Sequence, residues 1–263
     1  MRWLVIDLLA PMASFGGPAP GSVRDTDVMP SRGALLGLIA AAFGIRRDEG
    51  EAQAALGSAL RFAVRVQGDA PLLRDYHTAQ APKESAMKGR SRMTRRDELS
   101  VPKNDLNTVL SDRYYHCDFH ATVGVVSEDS QYAVDRLAQA LATPVFTLYL
   151  GRKSCPLHWP LDPQIENADS WQAALALRDA YQKDRAQQWG KQRSMHALPF
   201  AARSDIETAS PIQRFAWDSA LPFGQDLSNE REVMRRDDPI DRTRWLFAER
   251  RQRRAEISSG GQT

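Results

Sequence analysis

The chain has 263 residues, 42% of them apolar and 26% charged. That composition excludes a disordered or fibrous chain, and the length allows one large or two small domains with a real buried core. The 35 Lys and Arg face 33 Asp and Glu, a net charge of +2, so any nucleic-acid surface must come from local clustering. Two cysteines, Cys117 and Cys155, exclude a disulfide framework and suit reduced thiols. Asp7 interrupts the first apolar run, and no stretch nears the roughly 18 apolar residues of a membrane helix. A soluble, cytoplasmic protein without membrane contact is expected.

Trp3 to Leu9 reads as a buried strand. The Gly/Pro-rich stretch from Pro11 to Pro30 reads as a long loop, and loops of about 20 residues are usually functional. Ser31 caps a predicted helix whose apolar face is Leu35, Leu36, Leu38, Ile39 and Ala42, and Gly44 stops it. A second short helix is expected from Glu49 to Leu56. Leu60 to Val66 alternates as a strand, and Leu72 to Thr78 is a further short one. Ala79 to Asp112 loses apolar residues and gains charge. Tyr114 to Val126 is a strand again, Ser130 to Ala142 a helix, and Val145 to Leu150 a strand.

The resulting order is βαββαβ with an insertion, the order of a ferredoxin-like α+β fold. Both helices on one face would leave the other face open, as in RNA-recognition motifs. Beyond about residue 163 the pattern changes. Asp169 to Gln188 is a charged helix, Asp205 to Arg214 holds a strand, and Ser258 to Thr263 is a flexible tail. This half reads as a smaller second domain or an elaboration of the first.

Charge is concentrated in two places. Lys83, Lys88, Arg90, Arg92, Arg95, Arg96 and Lys103 oppose only Glu84, Asp97 and Glu98. A basic insertion between two strands suits a phosphate backbone, because each neutralised phosphate releases counterions; a solvated loop is the plainer alternative. Nine arginines face five acids between Arg231 and Arg254, which reads as a solvated helix face.

Tyr76, His77, Tyr114, Tyr115, His116 and His120 could supply the acid, base and hydrogen bonds of metal-free RNA cleavage, or simply stack on RNA. His116, Asp118 and His120 would share one strand face, but the fourth ligand of a metal site is missing, so no metal is expected. Gly151-Arg152-Lys153-Ser154 ends a predicted strand and resembles a phosphate cradle, though no P-loop motif is present.

Four blocks occur in chain order: LLAPMASFGGP from Leu8, PSRGALLGLIAAAFGI from Pro30, LLRDYHT from Leu72 and YLGRKSCPL from Tyr149. Together they resemble the CasD family, the Cas "five" subunit of the type I-E CRISPR surveillance complex Cascade. EVMRRDDPID near the C-terminus is a fifth, weaker block. The resemblance implies a RAMP-superfamily, ferredoxin-like domain over residues 1–163. An inserted β-hairpin "thumb" would occupy about 79–112, and a smaller region 164–263.

It further implies a non-catalytic subunit of a ribonucleoprotein in antiviral defence, without cofactor or metal, capping the CRISPR RNA 5′ handle. Its neighbours would be a CasC-type backbone subunit and a CasA-type large subunit, with target DNA met only through the complex. On the matching blocks, Ser14 and Phe15 would meet the handle, and Arg24 would extend that loop. Ser31 and Arg32 would bind phosphate at a helix N-terminus. Tyr76 and His77 would lie at the thumb base, and Arg152, Lys153 and Ser154 would bind handle phosphate or base edges. Lys88, Arg90, Arg92 and Arg96 are placed on the thumb by charge alone. The competing reading is a metal-independent endoribonuclease processing CRISPR repeat RNA, as related type I-C proteins do, built on the Tyr/His set. A scaffold without RNA contact is a third.

Overall fold

Burial on both sides of the first strand sets the architecture. β1 (Arg2–Ala13) sends Leu4, Ile6, Leu8 and Ala10 to one face and Trp3 and Val5 to the other. Its sequence is therefore a nearly continuous apolar run instead of an alternating one. The computed structural model describes residues 1–17, 21–191, 212–225, 227, 229–244 and 246–258. The other strands are β2 (Val23–Arg24), β3 (Leu60–Gln67), β4 (Leu72–Pro82), β5 (Leu106–Ser127), β6 (Gln164–Asn167), β7 (Ile212–Asp218), β8 (Arg231–Asp241) and β9 (Leu246–Ser258). Among the described residues they form one sheet in the order β6-β1-β5-β3-β7-β9-β8, with β2 and β4 also pairing with β5.

One face is covered by α1 (Arg32–Phe43) and α4 (Val134–Ala142). The expected caps of α1 are both present. Ser31 Oγ accepts from the Ala34 N–H, and Gly44 takes the left-handed conformation at φ +76° and donates to the Ala40 and Ala41 carbonyls. α2 (Gly50–Ala59) leads into β3. α4 begins later than its sequence suggests, at Val134. The preceding Tyr132 is buried edge-on against Phe43, 5.6 Å between centroids.

The strand expected from Val145 to Leu150 is not formed. The N–H groups of Val145 and Phe146 donate to Ala42 and Ala41, the last carbonyls of α1. An apolar, β-like segment is thus used to close a helix end, whose free carbonyls need partners. Beside β1 that place is taken by β6, antiparallel with Arg2↔Asn167 and Val5↔Gln164.

The second sheet face is not open either. α5 (Trp171–Lys191) lies across it, with the Trp171 ring 5.6 Å from that of Trp3. A Cβ at Gly124 would lie 2.3 Å from a Trp171 ring carbon, so the absent side chain is what lets the helix approach β5. The charged helix expected from Asp169 to Gln188 is present. Its packing closes the surface on which an RNA-recognition motif would bind.

Beneath α5, Arg178 is 1% exposed and places Nε 2.9 Å and a terminal nitrogen 2.8 Å from Asp7. Gln182 donates to the same oxygen at 2.7 Å, and His120 Nε2 is 3.7 Å from the other. Burial alone would raise the Asp7 pKa, but His120 and Arg178 together outweigh it and hold the carboxyl well below the usual carboxylate range. A depressed carboxyl stabilises the fold above its unfolded pKa, about 4, and that stability is lost as pH falls. Asp7→Asn is expected to lower stability at neutral pH, because Arg178 stays buried without a counter-charge. It should also flatten the acid limb below about pH 4. Urea midpoints across pH check this; parallel curves for both proteins would contradict it.

Residues after 163 are built into the same sheet, β6 on one edge and β7 to β9 on the other. The arginine-rich stretch is a hairpin, not a helix face, and much of it is internally paired. Arg250 bridges Asp218 and Asp237 at 2.7 and 2.8 Å. The strand expected from Asp205 begins at Ile212; residues 205–211 and the expected tail from 259 onward lie outside the described residues. No helix among the described residues is long and apolar enough to cross a membrane.

Candidate nucleic-acid interface

The Gly151 turn is anchored to the end of β1. Leu150 N–H donates to Cys155, Cys155 N–H to Arg152, and Ser14 N–H to Leu150, at 2.8, 2.9 and 3.1 Å. Gly151 has φ +83°, and a Cβ there would lie 1.8 Å from the Ser14 carbonyl oxygen. Only glycine fits this approach. The turn projects Arg152 over the Tyr115 ring, 4.8 Å from its centroid, and donates from Arg152 to the carbonyls of Arg24 and Tyr114 at 3.1 and 3.4 Å. Lys153 and Ser154 are exposed, and the Lys153 ammonium has no side-chain partner among the described residues.

Arg24 reaches this place through β2, which runs parallel to β5 with Arg24 in register with Arg113. Two arginines side by side on paired strands repel one another. Arg24 and Arg113 stand beside the turn that carries Arg152 and Lys153; the Arg24 guanidinium donates to the Gly21 and Val23 carbonyls, and Asp75 of β4 is in register with Arg113 on its other side. Sequence reasoning missed Arg113. Its signal is slight, one cation ahead of the Tyr114-Tyr115-His116 run.

β4 and the first half of β5 form a hairpin paired from Leu72↔His116 to Pro82↔Leu106. Ten steps at the strand rise make it about 33 Å long. Its strands thus start earlier than the expected insertion at Ala79, and its cations lie beyond the last pair, on a folded tip. That tip buries Met87 and Val101 and carries a short helix, α3 (Arg95–Leu99), with a Thr94/Asp97 capping box. Lys88 and Arg96 are exposed, with no side-chain partner among the described residues. Arg90 donates to the Ser100 carbonyl at 3.3 Å, and Arg92 pairs with Glu84 at 2.7 Å. The tip and the Gly151 turn are two separate basic places, joined by the hairpin.

A family model described as CRISPR-associated protein (Cas_Cas5) matches residues 3–253. The chain belongs to the CRISPR-associated Cas5 family. It is 30% identical over 225 residues to the CRISPR system Cascade subunit CasD of Escherichia coli (strain K12), covering 80% of this chain and 91% of that one. A solved structure described as a CRISPR RNA-guided surveillance complex shares the fold, with TM-score 0.59 at 22% identity over 97% of this chain and 90% of that chain. A second, a Cas protein crystal structure, has TM-score 0.54 at 21% identity, with coverages of 97% and 95%.

Three of the residues expected at the RNA surface of this Cas5 chain serve its interior instead. Phe15 is 4% exposed and packs edge-on against Phe119, 5.2 Å between centroids, so it is a core residue and no stacking platform. Ser14 is buried, and its hydroxyl donates to the Tyr114 carbonyl at 3.0 Å, tying β1 to β5. Arg32 is 6% exposed, and its guanidinium donates to Asp238, Asp218 and the carbonyls of Gly57 and Leu60. The anion at the α1 N-terminus is the protein's own. The Arg32 N–H donates to Asp237 at 2.9 Å, and the Ser31 hydroxyl is occupied as the cap.

The Tyr/His set is divided. Neighbours in a strand point to opposite faces, and residues opposite each other share one. Tyr76 faces Asp112, and His77 faces Ser111. Tyr76, Arg74 and Tyr114 therefore share one side of the hairpin, His77, Arg113 and Tyr115 the other. Tyr76 is 58% exposed and free to stack. His77 sits 4.0 Å from Asp75. His116 Nδ1 lies 2.7 Å from the Ala70 carbonyl, and His120 lies under α5 beside Asp7. These groups do not converge on one reacting bond. Asp118, at φ +48°, breaks the regular strand between the two histidines. No group of three or more His, Cys, Asp or Glu among the described residues is placed to hold a metal.

Proposed function

We propose that this Cas5-family chain is a non-catalytic, RNA-binding subunit of a type I-E-like CRISPR surveillance complex, holding the 5′ handle of the CRISPR RNA. The observation that carries the reading is the pair Arg152–Lys153 on a turn that only glycine can close, with Arg24 and Arg113 on paired strands beside it. The relative named as Cascade subunit CasD supports the setting. Lys153 and Arg24 take phosphates, Ser154 donates a hydroxyl, and Arg152 holds Tyr115 and the Arg24 loop in place. Ser31 serves as the helix cap behind this loop.

The β6-β1-β5-β3 part of the sheet, with α1 and α4 on one face, supports a ferredoxin-like core. The β4–β5 hairpin is the thumb, with Tyr76 and His77 part-way along it. Exposed bases stack on Tyr76, and Lys88, Arg90, Arg92 and Arg96 at the tip meet the RNA further along its path or the neighbouring subunit. In this reading the neighbours are a CasC-type backbone subunit and a CasA-type large subunit, and target DNA is met only through the assembly.

The test is repeat-RNA binding across a salt series. Lys153→Ala is expected to weaken binding and flatten the slope of log affinity against log salt by about 0.7 to 1, one phosphate contact. An unchanged slope would remove the Gly151 turn from the interface.

A further inference from the structure

The loop that carries Arg24 is fastened at one point to the far end of the sheet. Asp27 N–H donates to the Phe15 carbonyl at 3.1 Å, closing the loop against the end of β1, and Phe15 N–H donates to Thr26 Oγ1 at 2.9 Å. The Asp27 side chain faces the β8–β9 hairpin. One carboxylate oxygen accepts from the Met29 N–H at 3.0 Å. The other meets Arg235 of β8 at 2.9 Å and Arg254 of β9 at 3.3 Å. Arg254 is itself steered by Gln252, which accepts from its Nε at 3.0 Å. A single carboxylate thus joins the loop between β1 and α1 to a hairpin more than 200 residues later in the chain.

We infer that Asp27 is a positioning residue for RNA binding, and that the β8–β9 hairpin acts through it as a brace setting the height of the Arg24 loop over the Gly151 turn. The inference rests on the RNA-binding reading above and deepens it. The loop needs such a brace. It is rich in Gly and Pro, so it has little secondary structure to hold it, and β2 within it spans only two residues. The pairing is partly buried, with side-chain exposures of 26% for Asp27, 28% for Arg235 and 19% for Arg254. Two guanidinium groups on one carboxylate fix direction as well as distance.

The test uses the full chain and repeat-derived RNA. Asp27→Asn keeps the shape and the Met29 hydrogen bond but loses the charge that holds both arginines. Affinity is expected to fall about tenfold, with the fraction of binding-competent protein unchanged. Arg235→Gln approaches the same pair from the hairpin side and should lower affinity in the same direction. In a double-mutant cycle, Asp27→Asn on top of Arg24→Ala should cost little more than Arg24→Ala alone, because Asp27 acts through the loop that carries Arg24. Combined with Lys88→Ala, at the distant tip, the two effects should add. A purely structural role would give additive effects in both cycles, or would lower only the binding-competent fraction, and either result overturns the inference. So does wild-type affinity in Asp27→Asn. A wild-type chain that shows no salt-dependent RNA binding overturns the functional reading itself.

Discussion

Arg32→Ala is expected to cost about 3–5 kcal/mol of folding stability, the range for breaking a buried ion pair from one side. The guanidinium links four parts of the chain. It donates to Asp238 of β8 at 2.8 Å, to Asp218 of β7 at 3.2 Å, and to the carbonyls of Gly57 and Leu60 at 2.5 and 3.1 Å, and its carbon lies 5.5 Å from the Phe62 ring centroid. Alanine leaves Asp218 and the Leu60 carbonyl buried and short of a donor, and takes the partner from the part-exposed Asp238. Asp218 keeps Arg250 and the Phe62 N–H, so the network is strained and not abolished. In a chain of this size the melting temperature should fall by about 10 °C. Arg32→Lys should recover only part of the loss, since an ammonium cannot fork between acids and carbonyls. Thermal and urea unfolding measure both variants. A phosphate-binding Arg32 predicts the opposite pattern, near wild-type melting with RNA affinity lost, and that result would contradict the buried role.

Gly151→Ala is the second large effect. The residue sits at φ +83°, and its Cβ would lie 1.8 Å from the Ser14 carbonyl oxygen and 2.8 Å from the carbonyl carbon. Left-handed strain alone costs about 1–3 kcal/mol for a non-glycine residue. The clash must also push the turn off β1, breaking the Ser14–Leu150 hydrogen bond, worth about 1 kcal/mol. A loss of roughly 3 kcal/mol is expected by urea unfolding. The displaced turn takes Arg152 off Tyr115 and carries Lys153 with it, so repeat-RNA affinity should fall further than in Lys153→Ala. Full affinity in a folded Gly151→Ala protein would show that the turn does not hold the RNA.

Local signals were legible where the physics is local. Ser31 and Gly44 delimit α1 from sequence because caps are built from neighbouring residues. Leu60 to Val66 reads as a strand, and β3 extends it by one residue. The errors come from partners far away in the chain. Ser31-Arg32-Gly33 has the composition of an anion-binding helix start, but the anion is Asp237, 205 residues later. Phe15 sits in a Gly/Pro-rich loop that reads as surface, yet the loop folds back through the Phe15–Asp27 bridge and buries the ring on Phe119. Val145 to Leu150 has strand composition, but its first N–H groups are taken by α1. Nothing in Asp169 to Gln188 says which sheet face that helix will cover. A turn at Gly151 is legible from its glycine, which takes φ +83°. Its neighbours Arg24 and Arg113 come together only through the short parallel pairing of β2 with β5.

The central claim is that this chain grips RNA without cutting it. The most direct measurement mixes the purified protein with its own repeat RNA in EDTA and scores binding and cleavage on one gel. The account predicts a salt-sensitive complex with intact RNA, weakened by Lys153→Ala and unaffected in its RNA length by His77→Ala or His116→Ala. Defined, EDTA-resistant cleavage that disappears in His77→Ala or His116→Ala would contradict it, and would mean that groups on opposite sides of the β4–β5 hairpin come together on the RNA after all.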